Sequence, residues 1–165
     1  LLTHLLLDTL KATAPARVIN ITSDMHGDIN LDNLQGVQKY DGMFAYKQSK
    51  TANVLFTYEL ARHLKGTGVT VNCASPGFIK TNLGRDTQGV FKVFLKLAGL
   101  FIAGPEKGAE TPVYLATAPE LEGVTGKYFA DKKESQSAAI TYDEAAVKRL
   151  WQISSELTGL QQPVR

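Results

Sequence analysis

The sequence predicts an α/β fold with a doubly wound parallel sheet, and three features carry that prediction. Two β-rich runs, Arg17–Thr22 (RVINIT) and Val69–Ala74 (VTVNCA), lie on either side of one long helical segment, Met43–Lys65. A crossover of that length joins parallel strands and covers the sheet they form. Each run is followed at once by a break, Ser23 after the first and Ser75-Pro76-Gly77 after the second. In open sheets of this kind, ligands sit just beyond the C-terminal ends of the strands.

Taken in order, residues 1–12 are mostly apolar, with leucines on more than one face, and predict a largely buried helix that the Ala14-Pro15 step stops. The chain opens on Leu1 without an initiator methionine or a capping residue, like the middle of a helix, so the N-terminal part of the fold is expected to be missing. Arg17–Thr22 has the length and β-branched content of an interior parallel strand. The polar stretch Asp24–Gly42, with Gly27 and Gly36, reads as a long loop, and long loops in compact domains are often functional. In Met43–Lys65 the residues Ala52, Leu55, Phe56, Leu60 and Leu64 recur at helical spacing, and Gly66 is placed to end the helix.

After the second strand, Val90–Ile102 predicts a strongly apolar helix interrupted by Gly99. Pro105 starts a helix running to about Ala118, and Gly126–Ala130 (GKYFA) is one more short strand. Asp143 caps a last amphipathic helix through Leu157, with Trp151 facing inward. No repeat or linker divides residues 1–165, which form one domain unit.

The net charge of +2 leaves no basic field for nucleic acid or a membrane surface. No basic, small-residue-terminated leader is present, and no run approaches the ~18 apolar residues of a membrane span. Cys73 is the only cysteine, lies in an apolar run and reads as a buried small hydrophobe; it fits a reducing, cytoplasmic setting. No Cys/His spacing suggests a metal.

Candidate chemistry gathers at the strand ends. Tyr46 and Lys50, four residues apart in the first turns of the helix, share one face and lie between Ser23 and the Ser75–Thr81 loop. A free phenol, with a pKa of about 10, is a poor general base at neutral pH, and a neighbouring ammonium favours its ionised form. Ser23 is placed to hydrogen-bond the oxygen of an alcohol or carbonyl near Tyr46. A hydride would have to come from or go to a cofactor, because no side chain transfers one. His26 lies close by, but in a polar loop without an identifiable partner, which favours a structural role over acid/base work.

Three stretches carry a resemblance: Arg17–Ser23, Tyr46-Lys47-Gln48-Ser49-Lys50 and Ser75-Pro76-Gly77-Phe78-Ile79-Lys80-Thr81. In that order they resemble the short-chain dehydrogenase/reductase family. Asp32-Asn33-Leu34-Gln35-Gly36 and Ala45–Phe56 look like its retinol dehydrogenase branch. The resemblance implies the C-terminal part of a Rossmann-type oxidoreductase domain that uses NAD or NADP, with NADP favoured by the resemblance alone. It makes Tyr46 the general acid/base, has Lys50 assist it and bind the nicotinamide ribose, and has Ser23 orient the substrate oxygen. Pro76, Gly77, Ile79 and Thr81 would line the nicotinamide side of the cofactor site. The substrate would be a small apolar or retinoid-like alcohol or carbonyl; Val90–Ile102, which could be core, a membrane-surface contact or a lid, is read as a substrate lid from its position after the cofactor loop.

The family's Gly-rich dinucleotide loop and Asn-Ala-Gly segment have no counterpart in residues 1–165. The resemblance therefore implies an active complete protein but an inactive fragment, and leaves open a membrane anchor ahead of Leu1. The rival reading is a truncated, catalytically silent binding or dimerisation module, since members of the family often form homodimers through the helix corresponding to Met43–Lys65.

Overall fold

The computed structural model describes residues 1–77 and 104–160. Among them, five helices, α1 (Leu2–Leu5), α2 (Leu7–Ala12), α3 (Gly42–His63), α4 (Pro105–Thr117) and α5 (Glu144–Thr158), accompany one sheet. Its strands stand in the order β1 (Ala16–Ile21), β2 (Val69–Ala74), β3 (Tyr128–Ala130) and β4 (Lys133–Ser135). β1 runs parallel to β2, from Ala16 opposite Val69 to Ile21 opposite Ala74; β2 runs parallel to β3, and β4 returns antiparallel to β3. The β1–α3–β2 crossover is the one that the sequence predicts.

Alternation along β1 explains the two helical layers, because successive strand side chains point to opposite faces. Val18 packs against the cluster that holds Leu60 of α3 and Leu64 just past its end, and the side chains of Asn20 and Thr22 bond to the same helix. Ile19 packs instead against the cluster holding Leu115 of α4, and the Arg17 guanidinium donates to the Leu115 carbonyl at 2.9 Å. That bond satisfies one of the open carbonyls near the end of α4. Leu55, Leu60, Leu64, Val71 and Leu115 are fully buried, each such side chain stabilising the fold by roughly 1.5–3 kcal/mol relative to leaving it exposed. The result is an open, mainly parallel sheet with helices on both faces, a Rossmann-type arrangement.

Several expectations are corrected. The first twelve residues form two short helical pieces rather than a buried helix. Leu1, Leu2, Leu5 and Leu6 are exposed and only Leu7 is buried, since no described residue covers the outer leucines. The strand read as interior stands at the edge of the described sheet, with Ile21 exposed. The helix before Gly66 stops at His63, with Gly66 at φ +82° in the turn that follows.

A fourth strand went unread. Asp131 (φ 47°) and Lys132 (φ 61°) make a two-residue hairpin loop with both residues left-handed. The usual signal for that turn is Asn-Gly or Asp-Gly, and Asp-Lys gives none. The loop is held by Thr111 of α4, whose hydroxyl accepts the Lys132 N–H at 3.1 Å, and by the Lys132–Glu110 ion pair at 2.8 Å.

At the C-terminal end, Asp143 accepts the N–H groups of Ala145 and Ala146 and so caps α5 as expected, and Gly159 closes that helix in the left-handed conformation. Trp151 is half-buried, stacked between Phe56 at 5.6 Å and His63 at 4.8 Å.

Candidate active site

The site begins where β1 leaves the sheet. Three hydrogen bonds join the end of this strand to α3. Asn20 Nδ2 donates to Thr57 Oγ1 at 2.9 Å, Asn53 Nδ2 to the Ile21 carbonyl at 3.0 Å, and Thr22 Oγ1 to the Lys50 carbonyl at 2.9 Å. One residue forward on the strand matches about one turn back on the helix. Thr57 and Thr22 are buried, so the first and last of these bonds are shielded from water, while the Asn53 bond to exposed Ile21 lies at the surface. The last of them sets Ser23, the next residue, beside the turn of α3 that carries Lys50.

That helix starts at a defined place. Asp41 accepts the Phe44 N–H at 2.7 Å, satisfying one of the first-turn donors. Tyr46 and Lys50 then fall in its opening turns, both half-buried, and the Lys50 ammonium lies 5.6 Å from the centre of the Tyr46 ring. The expected pairing of phenol and ammonium on one helix face is therefore present, at a separation where cation and ring attract.

The loop carrying Ser23 is fastened down along its length, although its composition reads as loose. The Thr51 hydroxyl accepts the Gly27 N–H at 2.8 Å and sits 2.9 Å from the Gly27 carbonyl, with the Lys47 carbonyl at 3.0 Å as a second acceptor. Buried Gln48 accepts the Asn30 N–H at 2.8 Å and donates to the Leu34 carbonyl at 3.0 Å. Asn30 in turn caps a one-turn 3-10 helix, Leu31–Asn33, and Ile29, Leu31 and Leu34 pack on Leu55 and Leu150. His26, without an apparent partner in the sequence, has one on each ring nitrogen, the Ser23 carbonyl and the Ala138 N–H.

Opposite Ser23, β2 ends in a buried serine. The Ser75 N–H donates to the Phe129 carbonyl at 2.9 Å, holding the strand end to β3, and the Gly77 N–H donates to Ser75 Oγ at 3.2 Å. Gly77 has φ +71°, and no described residue comes within 4 Å of where its Cβ would stand. A left-handed residue here favours glycine. Ile79, Thr81 and the apolar segment Val90–Ile102 lie outside the described residues. Cys73, fully buried, has its thiol pushed up to about 12 by burial, as suits a core residue rather than a nucleophile.

A mainly apolar groove of about 230 Å³ runs among Leu1, Phe56, Leu60 and Trp151, but Ser23, Tyr46 and Lys50 do not line it. It follows the uncovered leucines rather than the chemistry. Among the described residues, no cluster of His, Cys, Asp and Glu is arranged to hold a metal, and no helix is long and apolar enough to cross a membrane.

A family model described as short chain dehydrogenase matches residues 1–89, a span that includes Ser23, Tyr46, Lys50 and the Pro76-Gly77 turn. The chain belongs to the short-chain dehydrogenase family. Within it, the chain is 46% identical over 165 residues to retinol dehydrogenase 14 of Homo sapiens, covering 97% of this chain and 49% of that protein. It is 46% identical over 171 residues to human retinol dehydrogenase 13, covering 99% and 52%. With retinol dehydrogenase 12 of Mus musculus the identity is 41% over 163 residues, covering 98% and 51%. The chain thus spans about half the length of these curated relatives. Among solved structures, an uncharacterized protein from Mycobacterium paratuberculosis superposes with a TM-score of 0.66 at 26% identity, over 90% of this chain and 52% of that one.

Against this family background, the residues that sequence reasoning missed are the fasteners: Gln48, Thr51, Asn53 and Thr57. Their burial, not their sequence, gives them away. All four are polar residues inside a helix whose apolar neighbours Val54, Leu55 and Leu60 are buried, and a buried polar side chain must find a partner.

Proposed function

We propose that these residues are the C-terminal part of one Rossmann-type domain in an NAD(P)-dependent dehydrogenase that interconverts an alcohol and a carbonyl, on an apolar or retinoid-like small molecule. The observation that carries the reading is the Thr22–Lys50 carbonyl bond at 2.9 Å together with the Lys50–Tyr46 approach at 5.6 Å, which support a common site for the Ser23 hydroxyl, the ammonium and the phenol. Similarity to retinol dehydrogenases supports the substrate class.

In this reading Tyr46 exchanges a proton with the substrate oxygen as general acid/base, and the Lys50 charge beside the ring favours the ionised phenol. Ser23 donates its hydroxyl to the same oxygen and holds it within reach of Tyr46. The described residues fit a nicotinamide cofactor at the β2 end, where Gly77 is left-handed and no described residue stands at its Cβ position. Tyr46, Lys50, Pro76 and Gly77, with Ile79 and Thr81 further along, would hold it there, NADP being favoured by family resemblance. When bound, such a cofactor supplies the hydride transfer that no side chain performs.

The test is Tyr46→Phe in the full-length protein. Turnover is expected to fall by about 10²–10⁴-fold, the usual weight of general acid/base catalysis, with cofactor affinity retained. Turnover at the wild-type rate in this variant removes Tyr46 from the role, whereas a full-length wild-type protein without turnover moves the binding-module reading ahead.

A further inference from the structure

His26 holds both of its ring nitrogens in hydrogen bonds whose direction is fixed by the partners. Nδ1 lies 2.7 Å from the Ser23 carbonyl, which can only accept. Nε2 lies 2.9 Å from the Ala138 N–H, which can only donate. One protonation state satisfies both: a neutral imidazole with its proton on Nδ1 and a lone pair on Nε2. The other tautomer sets two donors face to face at Ala138 and two acceptors at Ser23. The imidazolium keeps the Ser23 bond and loses the one to Ala138.

The bond to Ala138 spans 112 residues of sequence and reaches the segment just ahead of the one-turn helix Ala139–Tyr142. The turn it tightens is closed in two further ways, by the His26 N–H to the Ser23 carbonyl at 3.2 Å and by the Met25 N–H to Ser23 Oγ at 3.2 Å. Because Met25 occupies a lone pair of the Ser23 hydroxyl, the hydroxyl proton stays free to be donated. A second strap lies alongside. The His26 ring packs 4.9 Å from Tyr128, whose hydroxyl donates to Asp24 Oδ1 at 2.8 Å.

We propose that His26 is a positioning residue for Ser23, a tautomer-locked imidazole that ties the Ser23 carbonyl to the segment before Ala139–Tyr142 and so fixes where the serine hydroxyl points. This rests on the reading of Ser23 given above. It assigns His26 no proton-transfer step, since any change in its protonation releases one end of the tie.

Two measurements on the full-length protein test it. The first is the long-range proton–nitrogen NMR correlation of the His26 ring, assigned by its loss in His26→Phe. It is recorded at pH about 8, above the ordinary imidazole range of about 6.5. The Nδ1–H tautomer is expected; the Nε2–H tautomer overturns the proposal whatever the variants do.

The second is a double-mutant cycle on kcat. His26→Phe keeps the ring against Tyr128 and removes both nitrogen bonds; a kcat loss of about 10- to 100-fold at unchanged cofactor affinity is expected. His26→Asn, which keeps a donor near the Nδ1 position, is expected to recover part of it. In the Ser23→Ala background, His26→Phe should add no more than about twofold, because the hydroxyl it positions is gone. Losses that multiply, or a wild-type kcat for His26→Phe beside a slow Ser23→Ala, overturn the role of His26 and leave that of Ser23 standing. A wild-type rate for Ser23→Ala removes the parent reading, and this proposal with it.

Discussion

Thr51→Val exchanges a buried hydroxyl for a methyl of nearly the same shape, so its effect is a matter of hydrogen bonds and not of cavities. Thr51 is fully buried, and its hydroxyl accepts the Gly27 N–H at 2.8 Å while donating to the Gly27 carbonyl at 2.9 Å or the Lys47 carbonyl at 3.0 Å. Valine leaves the Gly27 N–H without its acceptor. A buried donor stranded this way costs about 1–3 kcal/mol. Gly27 is half-buried with open space at its Cβ position, so water can reach it, which places the expectation at about 1–2 kcal/mol. The assay is urea unfolding of the full-length protein, in which the midpoint should fall while the slope stays constant. Thr51→Ser, which keeps the hydroxyl, should recover most of the difference. A second consequence is kinetic: with Gly27 released, the Ser23 loop loosens, so kcat should drop more than cofactor affinity. A loss below about 0.5 kcal/mol, the size of an ordinary surface substitution, together with an unchanged kcat, would refute the claim that Thr51 holds this loop.

Three other outcomes are expected. Asp41→Ala removes the cap of the helix that carries Tyr46 and should lower stability by about 1 kcal/mol in chemical denaturation, with Asp41→Asn close to wild type. The Cys73 thiol is raised from 9.0 to about 12 by burial, so the folded state keeps a proton that the unfolded chain releases; this contribution is full below pH 9 and is lost as the pH rises toward about 12. Urea titrations should show stability falling above pH 9 and falling less steeply in Cys73→Ala; Tyr58 and Tyr128, also raised by burial from their ordinary 10.0, add to the loss from pH 10 upward. The chain of residues 1–165 on its own should show no saturable NADPH fluorescence titration, because it contains no Gly-rich loop for the pyrophosphate. A clear binding isotherm would overturn that expectation.

The sequence made the parallel crossover legible because its elements are long and locally consistent: β-branched strands, a helix with apolar residues at helical spacing, and a break after each strand. The candidate site was legible for the same reason, since Ser23, Tyr46 and Lys50 sit at strand and helix ends that local pattern can locate. What escaped was decided by contacts distant in sequence. The exposure of Leu1, Leu2, Leu5 and Leu6 depends on what covers them, which no local pattern records. The β3–β4 hairpin rests on Asp131 and Lys132 in a conformation that tertiary bonds to Thr111 and Glu110 support. The order in the Asp24–Gly42 stretch comes from Gln48 and Thr51, polar side chains that within their own helix look like surface residues.

The seam between β1 and α3 also sets a limit on itself. Three successive strand residues advance about 7 Å, whereas the helix residues they meet, Thr57, Asn53 and Lys50, span about 10 Å along the axis. Two rulers with unequal divisions can be brought into coincidence only over a short interval. The mismatch is absorbed by spending different lengths at each rung: a strand amide, then a helix amide reaching to a strand carbonyl, then a short hydroxyl. Further toward the start of β1, Val18 instead packs against the apolar cluster that holds Leu60 and Leu64, through non-directional dispersion contacts. Directional bonds thus gather at the end of the strand where Ser23 emerges.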